Sequence, residues 1–494
     1  MRRKNPIFYN ALLLTFVNLL LRLAGTSFQV YISGRIGPAG IGLLQLVLSV
    51  GSLSMVAGMA GIRTATMYLT AEELGRGKAK HITWVLSGCF LYSILFSGSV
   101  AFLLYRFSPW ISSNWIGNSC TVGALRLFAA FLPISCLCGV MTGYFTAANR
   151  IRTLAMIEVA EQLVSMAVTV LALTFWAQED AGKACQAVIL GSCAGGCLTL
   201  ICLILLRKIE QAYHSTRIPI AKRIANAALP LAVADITKAG INTAENLMVP
   251  KRLAIYHLVT DPLAAFGTVS GMVFPVLMFP ACILFGLAEL LIPELARCNA
   301  AGSGHRISYL VKKSLRISML YGVFFSGIIF LLSDKLCMSL YRSSEAGHFL
   351  RMYALLIPIL YCDTVTDAMT KGLGQQKICV RYNILTSVMD IIFLYFLLPE
   401  YGMTGYYISF LITHLLNFIL SLRRLLKITG EHLFFYIPAF TAVSMILAVC
   451  GAATFSSGAG KVICYTALMC SLLYLLKIIS REDILWMKGL ISKK

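Results

Sequence analysis

Apolar segments of about twenty residues recur through almost the whole chain, separated by short polar loops. A hydrocarbon core roughly 30 Å thick takes about 20 apolar residues to cross as a helix. Inside it no water is available to backbone amides, so a spanning segment of this kind satisfies its hydrogen bonds internally, as a helix. Only 13% of the residues are charged, against about 25% in a soluble chain. The segments fall at 7–33, 41–71, 82–104, 120–146, 154–177, 184–206, 225–250, 264–296, 309–332, 349–370, 380–398, 402–422, 434–454 and 460–479. The pattern therefore predicts an all-α polytopic membrane protein with about 14 transmembrane helices, and it excludes most soluble chemistry.

The net charge of +21 would suit nucleic acid if it were gathered on one surface. Instead most of the 42 Lys and Arg sit on alternate loops, among them Arg2 to Lys4, Arg76, Arg207, Arg223, Arg306, Lys312, Arg423 and Lys494. Basic residues mark cytoplasmic loops, so both termini are expected in the cytoplasm of a bacterial cell and the protein in its inner membrane. Membrane lipids with anionic headgroups are expected partners; nucleic acid is not. The sixteen Cys lie mostly inside the segments without metal-ligand spacing, and they read as small apolar helix residues. No metal and no cofactor is expected. The basic start resembles a signal peptide, but its apolar run is too long and no cleavage site follows, so it reads as a retained first helix.

A shift of 225 positions superimposes one half on the other. It places Gly42 on Gly267, Gly61 on Gly286, Ala71 on Ala296, Pro133 on Pro358 and Arg152 on Lys377. Both halves begin on the same side and hold six segments, a parallel pseudo-two-fold repeat of the kind found in transporters. The expected domains are an N-lobe at 1–206, a basic cytoplasmic linker at 207–224, a C-lobe at 225–426, and an additional helix pair with its tail at 427–494. Two covalently joined lobes can form a complete pathway, so a monomer is expected to function.

Ionisable groups inside the segments are the strongest functional signal, since each costs about 2.5–3.5 kcal/mol near the bilayer centre. Arg22 lies mid-way along the first segment and Arg63 in the second. The seventh carries Asp235, Lys238 and Glu245, and the tenth Asp363 and Asp367 with Lys371 one turn on. Glu158 and Glu161 lie in the fifth, and Asp390 in the eleventh. Asp235 with Lys238, and Asp367 with Lys371, have spacings suited to internal pairs; Glu158 and Glu161 could face Arg150 and Arg152. Arg22 has no local partner and must meet another helix, water or an anionic ligand. Arg offers a planar fork matched to phosphate oxygens, so a pyrophosphate-linked lipid headgroup fits a cationic cavity between two lobes. No Walker A sequence or dinucleotide fingerprint is present, which argues against ATP hydrolysis.

Several motifs occur in order. They are Arg22-Leu23-Ala24-Gly25, then Arg35-Ile36-Gly37-Pro38-Ala39-Gly40, Gly143-Tyr144-Phe145 with Glu161-Gln162, and Ala228-Leu229-Pro230 with Glu245. Ser270-Gly271-Met272, Pro275 to Pro280, and Pro293-Glu294-Leu295-Ala296 follow. Taken together the set resembles the stage V sporulation protein B family of polysaccharide-type transporters, within the multidrug/oligosaccharidyl-lipid/polysaccharide flippase superfamily. The resemblance covers essentially the whole chain. It implies two six-helix lobes in a V with two extra C-terminal helices, and flipping of an undecaprenyl-pyrophosphate-linked saccharide such as the peptidoglycan precursor lipid II. Arg22 matches the family's arginine in its first helix, while Glu161, Gln162 and Glu245 match polar positions in helices five and seven. Arg63 departs from the pattern, standing where relatives often carry Pro.

The reading is a non-enzymatic, alternating-access flippase in which Arg22, Arg63 and Lys238 attract the pyrophosphate. Asp235, Glu245, Asp363, Asp367, Glu161 and Gln162 balance those cations or couple transport to an ion. The alternatives are a cation-coupled multidrug exporter of the same superfamily and, more remotely, a membrane-embedded glycosyltransferase or polymerase. The latter would need a larger outer loop than this chain has.

Overall fold

The computed structural model describes residues 6–76, 81–177, 180–208, 220–256, 258–431, 436–476 and 478. The expected linker lies mostly outside them, as do Arg2, Arg3, Lys4 and Lys494. Every element among the described residues is helical.

Nine helices there are long and apolar enough to cross a membrane, and two further spans are bent pairs. Two of the nine are themselves double. Gly37 (φ 72) interrupts the helix Pro6–Met59, and Gly402 (φ 56) interrupts Gln376–Thr429. At both, a positive φ that glycine adopts without a Cβ clash ends one helix and starts the next. With the shorter helix Tyr436–Ala453 the spans number fourteen, as expected.

We label them in chain order. Helix α1 covers 6–36; α2 runs from 38 through the continuation Ile62–Gly75. Next come α3 (Ile82–Trp110), α4 (Val122–Ala147), α5 (Ile151–Phe175), α6 (Ala181–Lys208) and α7 (Ala221–Leu253). Helix α8 is the pair Pro262–Met278 and Ala281–Ala300, bent by 65° at Pro280, followed by α9 (Gly304–Tyr341). Helix α10 pairs Ser344–Ala354 with Ile357–Gly372 at 56°, beside Pro358. The set closes with α11 (376–401), α12 (403–429), α13 (Tyr436–Ala453) and α14 (Gly458–Leu475). Proline removes a backbone donor and crowds the preceding turn, which accounts for both bends.

Helix ends follow the 225-residue shift: α4 ends at Ala147 and α10 at Gly372, and α5 begins at Ile151 where α11 begins at Gln376. The shift-related pair Gly42 and Gly267 is also in direct contact. A Cβ on Gly267 would lie 2.0 Å from the Pro38 carbonyl oxygen and 2.6 Å from the Gly42 nitrogen, while one on Gly42 would lie 2.3 Å from the Leu263 carbonyl. Residues on a pseudo-two-fold axis meet their own repeat partners. Among membrane helices, where lipid removes the hydrophobic drive to associate, small residues permit that approach.

Two compact units form: Met1–Gly271 with Ile391–Gly402, and Met272–Asp390 with Met403–Lys494. In the first, α7 and the start of α8 pack on α1 and α2. In the second, the terminal pair α13–α14 packs on α9 through the buried Tyr465, Met469 and Ala448 around Val323. The Tyr465 hydroxyl donates to the Val323 carbonyl at 3.3 Å.

Candidate functional site

In the first unit, α2 breaks part-way at Ala60 (φ 42) and Gly61 (φ 71). Its continuation restarts without a side-chain cap, leaving the first amides of Ile62, Arg63 and Thr64 at the positive end of a helix dipole. The Tyr92 hydroxyl donates to the Ala60 carbonyl at 3.2 Å, satisfying an acceptor freed by the break. Arg63 stands in this first turn, exposed, with its backbone against Gly143 of α4. Its guanidinium interacts electrostatically with Glu158 of α5. Two cationic features, a helix N-terminus and an arginine, thus stand in the same turn, within electrostatic reach of Glu158.

Glu161, one turn further along α5, accepts a hydrogen bond from Thr199 of α6 at 2.7 Å. Gly195 of α6 packs on the Glu161 backbone, where a Cβ would approach to 2.9 Å, and that closeness brings the hydroxyl within reach. Gln162 is half-buried beside it. On α7, Thr243 donates to the Ser49 carbonyl at 3.0 Å and Asn246 to the Ser49 hydroxyl at 3.0 Å, anchoring one stripe of the helix to α2. Asp235 and Lys238 are exposed and form no ion pair with each other among the described residues; Glu245 is half-buried. Arg22 is exposed on α1.

Where α2 ends and α7 begins, an ionic cluster joins three helices. Arg223 pairs with Glu72 at 2.7 Å and with Glu73 at 2.9 Å, His81 meets Glu73 at 2.9 Å, and Arg76 meets Glu72 at 2.6 Å. Glu73 is 1% exposed. Beneath it, Ile62, Leu69, Val85, Ile220, Ile224 and Ala228 form an apolar core.

The second unit holds a separate polar array. Asn417 donates to both carboxylate oxygens of Asp363 at 3.1 and 3.0 Å. Asp390, buried at mid-span, accepts from Ser409 at 2.6 Å and Thr413 at 3.1 Å. Asp367 pairs with Lys371 at 2.5 Å. Three of the donors, Ser409, Thr413 and Asn417, lie four residues apart on α12, so they share one face. His414 stacks near Phe410 at 4.0 Å and feels the Asp390 charge. The buried Asp390 and the half-buried Asp363 therefore rest on hydroxyl and amide donors, an environment suited to holding a proton or a small cation. No cluster of metal-ligating side chains occurs among the described residues.

Thus Asp367 is brought together with Lys371, while Arg63 comes only within electrostatic reach of Glu158. Asp363 and Asp367 stand in one unit; Arg22, Arg63, Asp235, Lys238, Glu245, Glu161 and Gln162 stand in the other. The α12 donor stripe carries its own sequence signal, polar residues at four-residue spacing in an apolar helix. The break at Ala60–Gly61 carries none beyond the glycine.

A family model described as MatE matches residues 230–396. Stage V sporulation protein B of Bacillus subtilis is 22% identical over 420 residues, 81% of this chain and 80% of that protein. Among solved structures, the lipid II flippase MurJ in an inward closed conformation superimposes with a TM-score of 0.69 at 12% identity, covering 94% of this chain and 98% of that one. An inward-facing multidrug resistance MATE transporter gives 0.65 at 13% identity, covering 84% and 98%. A superfamily transporter from Pyrococcus furiosus gives 0.60 at 13%, covering 86% and 96%. The matched segment, the curated relative and the shared fold agree: this chain is a multi-pass membrane protein similar to stage V sporulation protein B, with the fold of the MurJ and MATE transporters.

Proposed function

We propose that the protein is a flippase moving a polyprenyl-pyrophosphate-linked saccharide, such as lipid II, across the bacterial cytoplasmic membrane. The carrying observation is Arg63. It is an exposed arginine in the first turn of a broken membrane helix, forms no ion pair among the described residues, and is aligned with the positive end of that helix. A fork of guanidinium donors beside uncapped amides suits the oxygens of a pyrophosphate. Arg22 on α1 and Lys238 on α7 extend the cationic character within the same unit. The additional helices support the flippase reading over drug export. The MATE and Pyrococcus structures leave uncovered a share of this chain about as long as α13–α14 and the tail, whereas the comparison with MurJ covers 94% of it.

In this reading the lobes 1–206 and 225–426 rock about the pseudo-two-fold contact of Gly42 and Gly267. Both termini face the cytoplasm and a monomer is the working unit. Asp235, Glu245, Glu161 and Gln162 balance the cations. Asp363 and Asp367, together with the buried Asp390, are the candidates for coupling to an ion, because carboxylates inside membrane spans persist where they serve transport.

The second reading, a cation-coupled multidrug exporter, draws on the MATE likeness and on the same carboxylates. One experiment separates the two. Headgroup exposure of a lipid II analogue is followed in proteoliposomes for wild type, Arg63→Ala and Arg22→Ala, alongside uptake of an organic cation. Lipid movement that falls at least tenfold in Arg63→Ala, with insertion and folding intact, supports the pyrophosphate pathway. Organic-cation transport without lipid movement in wild type overturns it.

A further inference from the structure

At the end of the first unit where α3 turns towards α4, two apolar grooves run into one another. The larger, about 800 Å³, lies between α2 and α3 and is walled by Val50, Leu53, Leu104, Phe107 and Trp110. The smaller, about 540 Å³, lies between α2 and α7 and is walled by Leu247, Met248 and Tyr395. Leu53 and Trp115 line both, so the two form one trench, and each part has the volume of a small-molecule site. Its rim is basic. Arg106 edges the larger groove, and Lys251 and Arg252 edge the smaller. No acidic residue lines either groove, and none of the three cations pairs with a carboxylate among the described residues. Lys251 donates to the Asn114 carbonyl, which holds the turn Ile111–Ile116 over the trench. Arg252 lies 3.2 Å above the Tyr395 ring. Trp110 and Trp115 meet edge-on at 5.6 Å, the amphipathic aromatics characteristic of the headgroup level.

We propose that this trench is a binding site for an anionic phospholipid, its acyl chains along α2 and α3 and its phosphate at Lys251 and Arg252. Charge complementarity selects the headgroup: the rim offers cations alone, so a zwitterionic lipid brings an ammonium to an unfavourable place. The lining also argues against a saccharide-bearing lipid. The aliphatic wall hydroxyls, Ser54 and Thr243, donate to the backbone carbonyls of Val50 and of Ser49 and Ala239, which leaves the ring polar atoms of Tyr395, Trp110 and Trp115 as the few wall groups a sugar could use. The site is separate from the Arg63 turn and does not depend on which substrate is carried. An occupied trench would brace α2 against α7, two helices that the proposed rocking moves relative to one another.

The full-length protein in detergent is incubated with phosphatidylglycerol or phosphatidylcholine of identical chains, and retained lipid is read by native mass spectrometry. Wild type is expected to prefer phosphatidylglycerol by about an order of magnitude or more. Lys251→Gln, an exposed position, should cut that preference about fivefold, and adding Arg252→Gln should cut it about fivefold again, the worth of one basic residue each near a charged headgroup. Phosphatidylcholine retention unchanged in these variants certifies their fold, and Lys251→Arg should keep the preference. Ala57→Trp, which fills the larger groove, should reduce retention of both lipids. The proposal is overturned by equal retention of the two lipids in wild type, or by a preference that survives both glutamines. It is equally overturned by indifference to Ala57→Trp, or by displacement of phosphatidylglycerol by polyprenyl pyrophosphate at equal concentration, which would assign the trench to the transport path.

Discussion

Glu72 and Glu73 are adjacent in sequence, both pair with Arg223, and they should nevertheless differ in worth. Glu73 is 1% exposed and accepts from Arg223 and His81, each at 2.9 Å. Glu72 has a side chain 24% exposed and pairs with Arg223 and Arg76. Removing one partner of a buried pair costs about 3–5 kcal/mol because a desolvated group is left uncompensated. The Arg223 and His81 side chains are themselves 32% and 19% exposed, so water recovers part of that loss, and the low end, about 3 kcal/mol, applies to Glu73→Gln. An exposed pair is worth about 0.2–1 kcal/mol, so Glu72→Gln, which weakens two partly exposed pairs, should cost about 1 kcal/mol. Denaturant unfolding of the purified variants in one detergent measures the gap, expected near 2 kcal/mol. The cluster ties the end of α2 to the start of α7, so hydrogen exchange across Ile62–Gly75 should accelerate selectively in Glu73→Gln. A Glu73→Gln protein as stable as Glu72→Gln, with unchanged exchange there, would refute the argument from burial and with it a clasp between these helices.

Three other outcomes are expected. Gly267→Ala drives a Cβ to 2.0 Å from the Pro38 carbonyl, beyond ordinary overpacking, so it should cost about 3 kcal/mol or more and lower folded yield. Gly34→Ala, with nothing within 4 Å of its new atom, should be silent in the same yield and melting measurements. Thr413→Val removes one donor from the buried Asp390 and should destabilise by about 1.5–3 kcal/mol, read from unfolding. If transport is ion-coupled through this carboxylate as proposed, Asp390→Asn should leave the folded protein intact while abolishing any dependence of transport on an ion gradient in proteoliposomes; gradient dependence that persists would remove Asp390 from coupling.

How much of this was readable from residue order depends on which force placed each group. The fourteen spans were readable because the bilayer penalises every exposed amide, so apolar length alone dictates helix number. The repeat was readable because positions 225 residues apart carry matching residues, Gly42 and Gly267 among them, and both glycines are required where the two meet. The Ala60–Gly61 break was not, since Ala60 occupies a left-handed conformation that its sequence does not call for. The side-chain partners divide more instructively. In an antiparallel helical hairpin, residues equidistant from the turn lie opposite one another. Glu161 and Thr199 flank the α5–α6 turn at Asp180 in this way, and Asp390 with Ser409 and Thr413 does so about the break at Gly402. Both pairings follow from the turn positions once these are known, and a sequence reading that treats each acid alone overlooks them. Asp363 and Asn417, by contrast, sit on α10 and α12, which share no turn. Their meeting depends on how non-consecutive helices pack, so no spacing rule reaches it. The sequence thus exposes a buried carboxylate through its cost, and only the folded helices disclose which donors reduce that cost.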